Sequence, residues 1–389
     1  MEKKNKKKTY KKKLHTEKKT GILEKNKAGF GFVRQEEDGD IFVAKSNMGD
    51  AMHGDLVEVD LLPEYLWRRK SREGIIDKVL ERAHTEVVGT FQKNKRFGFV
   101  VPDDVRNNDD IFVKKSDFRN AQNGDKVVVR ITRYPEKKTS AEGKIIEVIS
   151  RNGETGGEIK ALIRANGLFE TFPSRANAEA KARSKEVITE EEIARRRDLR
   201  QETIITIDGA SSKDLDDAIS IQKLDNGNYS LGVHIADVSH YVDMGGYLDR
   251  EAAKRGNSVY LLSRVVPMLP KILSNGICSL NPGVDRLTLS CQMEIDGKGH
   301  VVSHEIFESV ICSKARMVYD DVSDILEHED AELVQHYAKI YEDLKLMGEL
   351  AAILRNKRKQ KGSLDFDFDE AEILLDDDEV PVHIGISDR

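Results

Sequence analysis

The sequence predicts a multidomain chain, β-rich in its first part and α+β in its second. Three observations predict it. A pattern of short strands and glycine turns occurs twice in the first 150 residues. A charged, alanine-rich stretch follows. Beyond it, alternating strands flank a cluster of aspartates. At 389 residues the chain exceeds one ordinary core, and about two to four domains are expected. Apolar residues at 39% against 34% charged supply real cores under a highly charged surface. No apolar run approaches the roughly 18 residues of a spanning helix, so no membrane partner is expected.

The charge is unevenly placed. Residues 1–20 hold ten lysines against Glu2 and Glu17, a net of +8 with His15 neutral. With Tyr10 as its only aromatic residue, this block cannot bury a core and is expected to be a disordered tail. Such a tail is either a solvated end or an arm that attracts phosphates. The far end, from Asp365 through Asp367, Asp369, Glu370 and Asp376 to Glu379, is acidic. Cys278, Cys291 and Cys312 form no CxxC pair. Reduced thiols in a cytoplasmic protein are expected, not zinc or disulfides.

The repeat has a period of about 70 residues, which suits a small duplicated domain. Gly21-Ile-Leu-Glu-Lys-Asn-Lys-Ala-Gly-Phe-Gly-Phe-Val33 returns as Gly89-Thr-Phe-Gln-Lys-Asn-Lys-Arg-Phe-Gly-Phe-Val100. Asp-Ile-Phe-Val follows at 40–43 and 110–113. A Gly-Asp turn and an alternating strand come next, at 53–59 and 123–129. A last strand closes each copy, at 74–79 and 143–148. About five short strands with Gly, Asn and Asp between them fit a closed barrel. Phe30 and Phe32 fall on one strand face, with Phe42 on the next strand; Phe97, Phe99 and Phe112 repeat the set. Lys27, Lys95 and Arg96 border these aromatics. Aromatic planes edged by cations suit single-stranded bases and their phosphates. The alternative is that the phenylalanines fill the barrels. The Gly-Phe-Gly-Phe-Val string also occurs in the RRM fold, but that fold needs a strand and helix before it, and mostly a lysine tail precedes Gly29. Both copies resemble cold-shock-type OB folds. Where that family carries a histidine after the second Phe-Val, Ala44 and Lys114 stand here.

Residues 150–175 read as further strand and loop. From Ala178 to Arg200 the chain reads as a charged helix or linker, with Thr189-Glu-Glu-Glu as a helix start. Arg195-Arg-Arg-Asp-Leu-Arg200 is either a solvated helical face or the flank of an RNA path.

Ile204-Ile-Thr-Ile-Asp-Gly209 reads as a strand ending in a turn, and Tyr229–Asp237 as a second strand. Asp208 ends the first strand, and Asp214, Asp216 and Asp217 lie between the two. Packed carboxylates repel and resist desolvation, so a fold gathers them for a hard cation or leaves them on a polar loop. Mg²⁺ takes oxygen ligands and keeps waters that substrate phosphates can replace. Zinc would want His or Cys beside the acids. An EF-hand would need acids at loop positions 1, 3, 5 and 12, and from Asp208 they fall at 1, 7, 9 and 10. Spacing alone leaves the ion site and the polar loop open.

Thr206-Ile-Asp-Gly, Asp214-x-Asp-Asp-Ala218, His234-Ile-Ala-Asp-Val-Ser-His-Tyr241, Ser258-Val-Tyr-Leu261, Pro267-Met-Leu-Pro270, Ser274 and Cys278-Ser-Leu280 follow in order. This series resembles the catalytic domain of the ribonuclease II/ribonuclease R family, and the likeness covers roughly residues 20–389. It implies two OB-fold (cold-shock-type) barrels followed by the first part of a ribonuclease II/R-type α+β catalytic domain. The expected division is a basic disordered tail at 1–20, barrels at 21–83 and 84–150, a connector at 151–200 and the catalytic segment at 201–389. The implied activity is a processive, Mg²⁺-dependent, hydrolytic 3′-to-5′ exoribonuclease releasing nucleoside 5′-monophosphates. The implied substrate is single-stranded RNA or RNA with a 3′ overhang, and a monomer is expected. By resemblance, Asp208 and Asp217 match metal ligands. Asp216 matches the residue tied to both metal and chemical step, and Asp214 a catalytic neighbour of the terminal nucleotide. Tyr260 matches the aromatic stacked on the 3′-terminal base; read as residues alone, it would pack beside Val259 and Leu261. Phe366 or Phe368 matches the opposite jaw. His234 and His240 are expected to be structural. The family's catalytic domain continues past the point matching Arg389, with a later arginine and glutamate and then an S1-type barrel. This chain is therefore expected to be C-terminally truncated and to hydrolyse RNA poorly or not at all by itself. The other function class is an RNA-binding cold-shock module that holds or unwinds RNA beside an incomplete, inactive catalytic domain.

Overall fold

The computed structural model describes residues 17–37, 39–67, 71–107, 109–135, 139–364, 370–376 and 380–387. Two compact units divide the chain between Phe169 and Glu170, with part of the C-terminal hairpin assigned to each.

The first unit holds two closed five-stranded barrels. One comprises β1 (Lys18–Lys25), β2 (Gly31–Val33), β3 (Ile41–Val43), β4 (Leu56–Leu61) and β5 (Glu73–Glu81). The other comprises β6 (Glu86–Lys93), β7 (Phe97–Pro102), β8 (Ile111–Lys114), β9 (Lys126–Arg133) and β10 (Glu142–Ser150). Their strand orders match: β1-β2-β3-β5-β4 and β6-β7-β8-β10-β9. Each closes through one parallel pairing, β3 with β5 and β8 with β10.

The duplication reaches individual hydrogen bonds. Leu23 N–H donates to Asp55 O as Phe91 N–H does to Asp125 O, and Gly54 N–H to Leu23 O as Gly124 N–H does to Phe91 O. Gly54 and Gly124 have φ of 86° and 87°, a left-handed turn that glycine adopts without steric cost. The aspartate after each glycine is buried. Asp55 accepts from the Met52 and Ala83 amides and Arg82 Nη1, each at 2.9 Å. Asp125 accepts from the Gln122 and Asn152 amides at 2.8 and 3.1 Å and from Arg151 Nη1 at 2.6 Å.

The barrel interiors are filled by residues other than the paired Phe-Gly-Phe aromatics. Leu23, Val33, Ile41, Val57 and Val59 form one core. Phe91, Val100, Ile111, Phe118 and Val127 form the other. The Phe91 and Phe118 rings meet edge-on at 4.8 Å. A Cβ at Gly98 would lie 2.4 Å from the Phe91 ring, so this ring requires the glycine.

Two expectations change here. Strand β1 takes in Lys18–Thr20, assigned from sequence to the disordered tail. Lys18 Nζ bridges Glu58 at 2.7 Å and Asp77 at 2.8 Å, so neighbouring carboxylates recruit the end of the lysine block into the sheet. Residues 1–16 lie outside the described residues. Within 150–175, read as strand and loop, Gly157–Ala165 forms helix α1. Its Ala161 packs on Val88 and Val128 of the second barrel, and Arg164 bridges Glu86 and Glu147. Glycines on both sides hid a short amphipathic segment.

The second unit opens with α2 (Ser174–Arg183) and α3 (Glu190–Arg195). Thr189 caps α3, its side chain accepting from the Glu192 amide, as the Thr-Glu-Glu-Glu string predicts. A seven-stranded sheet follows: β11 (Arg197–Asp198), β12 (Ile205–Asp208), β13 (Asp217–Lys223), β14 (Tyr229–Ala236), β17 (Asp285–Ile295), β18 (Val301–Cys312) and β19 (Ala315–Val318). The order is β11-β18-β17-β14-β13-β12-β19. Between β14 and β17 come α4 (Val238–Tyr241), α5 (Tyr247–Arg255) and the hairpin of β15 (Val259–Tyr260) with β16 (Val265–Val266).

Helices α6 (Tyr319–Glu327), α7 (Ala331–His336) and α8 (Tyr341–Gln360) complete the unit. They bury Ile325, Ile340 and Leu344 against Ile205 and Met317, and Leu350 against Ile221, Tyr229 and Ile295. Ala176, Tyr241, Leu248, Leu273, Cys278 and Val310 form a further core. A hairpin of β20 (Glu370–Leu375) and β21 (Pro381–Ser387) ends the chain. No helix among the described residues is long and apolar enough to cross a membrane.

Candidate active site

The acidic segment is a loop between two neighbouring strands of the sheet. Asp208 ends β12 and Asp217 begins β13, with Asp214 and Asp216 in the connection. The antiparallel pairing of β12 with β13 at Ile205 and Ile219 brings the end of one strand and the start of the other to the same end of the sheet. Buried Leu215 anchors the loop. Its amide donates to Ser279 Oγ at 3.1 Å, and its carbonyl accepts from the Leu280 amide at 2.8 Å. The Asp216 carbonyl accepts from the Ala236 amide at 2.9 Å.

The carboxylates feel one another. Asp208 is pushed above the ordinary aspartate range by loss of water, then by the charges of Asp217 and Asp214, with Arg316 opposing. Asp216 keeps solvent-accessible surface, yet surrounding protein removes enough water to raise its carboxyl. Repulsion from Asp214, Asp217 and Asp208 adds to the effect. Among the described residues, no group of three or more His, Cys, Asp or Glu side chains stands ready-made at metal-holding distance. The chemistry of the four aspartates nevertheless suits a hard divalent ion: they offer carboxylate oxygens, and the raised carboxyls of Asp208 and Asp216 mark negative charge that local cations do not neutralise.

Tyr260, from the β15–β16 hairpin, reaches the same place. Its hydroxyl donates to Asp214 Oδ2 at 2.7 Å. That bond, then burial and the Asp214 charge, pushes the phenol up to about 12, while the side chain stays 65% exposed. The residue-only expectation of strand packing for Tyr260 does not hold. An exposed ring tethered by its hydroxyl leaves its faces accessible for stacking. Phe366 and Phe368 lie outside the described residues.

Arg316 was not singled out from sequence. It pairs in register with Thr206 on the neighbouring parallel strand. Its Nη2 donates to the carbonyls of Ala210 at 2.9 Å and Ser212 at 2.7 Å. Only its sequence distance from the aspartates concealed it.

The two histidines do other work. His234 is fully buried, with Nε2 3.1 Å from Ser220 Oγ and Nδ1 2.7 Å from Ser290 Oγ, and burial holds it down at about 4. His240 packs edge-on against Tyr241. The basic run 195–200, left open from sequence, is occupied internally. Arg195 pairs with Glu192 and Glu308, buried Arg196 with Glu192 and Asp237, Arg197 with Glu305, and Arg200 with Asp198 and Asp285. These guanidiniums brace the unit and are not an unpaired phosphate track.

In the barrel unit, each phenylalanine triad is gathered outside the main barrel core, with Phe42 itself buried. Phe32 pairs with Phe42 across β2 and β3, and Phe99 with Phe112 across β7 and β8. Ring centroids in the first triad, with Phe30, lie 5.5–6.2 Å apart. Those in the second, with Phe97, lie 5.6–5.9 Å apart. Phe97 is exposed where its counterpart Phe30 is half-buried, and Phe112 is half-buried where Phe42 is buried, so the second platform is the more open. Lys27, Lys95 and Arg96 are exposed beside these platforms.

The carboxylate loop and the two barrels agree with family-level matches. A profile described as RNB domain matches residues 196–389, one described as Cold shock domain matches 99–173, and one described as Ribonuclease B OB domain matches 21–79. Ribonuclease R of Thermotoga maritima is 42% identical over 386 residues, covering 97% of this chain and 54% of that protein.

The chain belongs to the ribonuclease R family.

Ribonuclease R of Escherichia coli is 37% identical over 356 residues, covering 91% of this chain and 43% of that protein. The solved ribonuclease R of Mycoplasma genitalium, in complex with ribose-methylated single-stranded RNA, superposes with a TM-score of 0.84 at 28% identity. That match covers 95% of this chain and 58% of the other. The OB-type barrels followed by an RNB-type catalytic fold match the corresponding part of ribonuclease R. The chain spans about half the length of the curated relatives it matches.

Proposed function

We propose that this chain carries the barrels and the first carboxylate-bearing segment of a processive, Mg²⁺-dependent 3′-to-5′ exoribonuclease that hydrolyses RNA to nucleoside 5′-monophosphates. The observation that carries the reading is the meeting of Tyr260 with Asp214 on a loop whose other acids, Asp208 and Asp216, have raised carboxyls. It places an exposed aromatic ring beside a concentration of oxygen donors, as hydrolysis at a strand end requires.

Asp208, Asp216 and Asp217 would hold Mg²⁺. When bound, the ion supplies neutralisation of phosphate charge and a water more readily deprotonated. Asp214 orients the Tyr260 phenol, and the exposed ring offers a stacking face for the terminal base. The phenylalanine platforms, with Lys27, Lys95 and Arg96, hold the incoming single strand through base stacking and phosphate contacts. The RNA seen with the Mycoplasma genitalium protein supports the same class of substrate.

The test uses 5′-labelled single-stranded RNA, with and without a 3′ overhang duplex, incubated with the 389-residue protein in Mg²⁺ and then in EDTA. For this chain by itself the expected result is a faint ladder that depends on Mg²⁺, shortens from the 3′ end and is lost, with its mononucleotides, in Asp216→Asn. Ladder fragments retained in EDTA would refute the metal reading.

One observation favours a second reading. The acids are not preassembled at metal-holding distance among the described residues, whereas the Phe97, Phe99 and Phe112 platform is formed and open. On that reading the chain is an RNA-holding or unwinding module. A gel shift without any ladder would select it.

A further inference from the structure

The carboxylate loop is anchored by two side chains that contribute no carboxylate. On one side, Arg316 Nη2 bridges the carbonyls of Ala210 and Ser212. On the other, the fully buried Ser279 hydroxyl donates to the Lys213 carbonyl at 3.1 Å and accepts from the Leu215 amide. The carbonyls at 210, 212 and 213 are thereby satisfied by side chains from distant parts of the unit. Asp214 accepts from the Tyr260 hydroxyl, and among the described hydrogen bonds none ends on the Asp208, Asp216 or Asp217 carboxylate.

Arg316 is the cation best placed to neutralise this site, and it does not do so. Among the described ion pairs none joins it to Asp208, Asp214, Asp216 or Asp217, although its charge acts on Asp208. A guanidinium forking onto a carboxylate would be the stronger bond. By gripping carbonyls instead, it shapes the loop and leaves the acids their charge. Its Nε is buried without a hydrogen-bond partner among the described residues. A buried donor left unpaired costs free energy, so this placement is held by the rest of its geometry.

We propose that Arg316 is a positioning residue, with Ser279 as its counterpart, that sets the shape of the 209–217 loop and through it the metal affinity of the aspartates. This deepens the proposed Mg²⁺ site and rests on that reading. The register supports it, since the parallel pairing of Thr206 with Arg316 and of Asp208 with Val318 fixes the guanidinium beside the strand that carries Asp208. Both bonds leave one nitrogen, Nη2, so a lysine ammonium with its three donors can replace them in part, without the planar group that fixes their direction.

The test compares wild type with Arg316→Gln, Arg316→Lys and Ser279→Ala in the 389-residue protein by two measurements. Hydrogen–deuterium exchange in EDTA reads the 209–217 amides, with the 285–295 amides as the internal control. Calorimetric titration with Mg²⁺ reads the site. Arg316→Gln should speed exchange in 209–217 alone and weaken Mg²⁺ binding about 10-fold or more, the usual scale for outer partners of metal ligands. Arg316→Lys should recover part of both, and Ser279→Ala should act in the same direction. Unchanged exchange at 209–217 overturns the proposal, and so does faster exchange with wild-type Mg²⁺ affinity. If Arg316→Gln does not fold, Ser279→Ala and Arg316→Lys carry the same two criteria. If wild type and Asp217→Asn both bind no Mg²⁺, the metal reading fails by itself; unchanged exchange then refutes the loop clamp, and locally faster exchange upholds it.

Discussion

The two units treat their acids in opposite ways. In the barrels, Asp55 and Asp125 are buried after equivalent turns, and each is matched by two backbone amides and one arginine. In the sheet unit, Asp208 and Asp216 face other carboxylates, and the nearest arginine is turned to the backbone. The difference separates acids that build the fold from acids that remain available. A matched carboxylate gains stability from its charge, whereas a crowded one loses it. The folded sheet unit therefore carries a standing electrostatic cost, which a bound cation would relieve.

The largest expected effect tests the available side. Asp216→Asn should reduce any Mg²⁺-dependent RNA cleavage at least 100-fold, an effect of about 2.7 kcal/mol or more on the barrier. It should leave the melting temperature in EDTA unchanged or higher, because it removes repulsion. A clear drop in that temperature would mean that Asp216 belongs with the architectural acids. On the architectural side, Asp125→Ala strips partners from the Gln122 and Asn152 amides and should destabilise the barrel unit by about 3 kcal/mol. Chemical denaturation followed by Trp67 measures this, since the only tryptophan of the chain lies in that unit and bonds to Leu62 O. An effect below about 0.5 kcal/mol would erase the contrast.

The two barrels supply a finer comparison. Replacing Phe97, Phe99 and Phe112 together by alanine should weaken single-stranded RNA binding more than replacing Phe30, Phe32 and Phe42. Loss of one stacked base costs about 1–3 kcal/mol, and the second platform is the more exposed. Fluorescence anisotropy with labelled RNA decides the order.

The smallest effect is a difference in sign with pH. Burial pushes the Asp125 carboxyl up, but the Gln122 amide, Arg151 and the Asn152 amide outweigh it, leaving the group below its ordinary value of 3.8. Its stabilisation is present above 3.8 and disappears as acid takes the pH down through the folded value. Asp208 and Asp216 are raised above 3.8. Their relative contribution is greatest below 3.8 and is lost as pH rises through their folded values. Asp125→Asn should therefore flatten the acid loss seen by Trp67. Asp216→Asn should instead remove a loss that grows with rising pH, read by exchange at 285–295 in EDTA.

Much of this contrast was legible in the sequence, and the reason differs by region. The barrels announced themselves because duplication repeats every constraint. Gly54 and Gly124 must turn left-handed, Gly98 must clear Phe91, and the surface rings sit two residues apart on a strand. The aspartates were visible as a cluster, but their setting was not. The contact of Tyr260 with Asp214 spans 46 residues; resemblance, not spacing, singled out the two residues, and neither named the bond between them. Helix α1 is not legible in the sequence because its glycine-rich flanks outweigh the periodicity of a nine-residue helix. The run 195–200 could be either surface or path, because the partners that consume its arginines, Asp237, Asp285, Glu305 and Glu308, arrive much later in the chain. Arg316 was invisible for the same reason.

That last separation has a consequence during synthesis. The acidic loop leaves the ribosome before the arginine that grips it, since Arg316 follows Ala210 by 106 residues. At about 5–20 residues per second, the loop waits on the order of 5–20 s for β19. Over that interval β12 has a free edge where its parallel neighbour will later dock. A site whose clamp is translated last is shaped only after its sheet has been threaded, so a nascent chain stalled before residue 315 would display the four aspartates with the loop still unset.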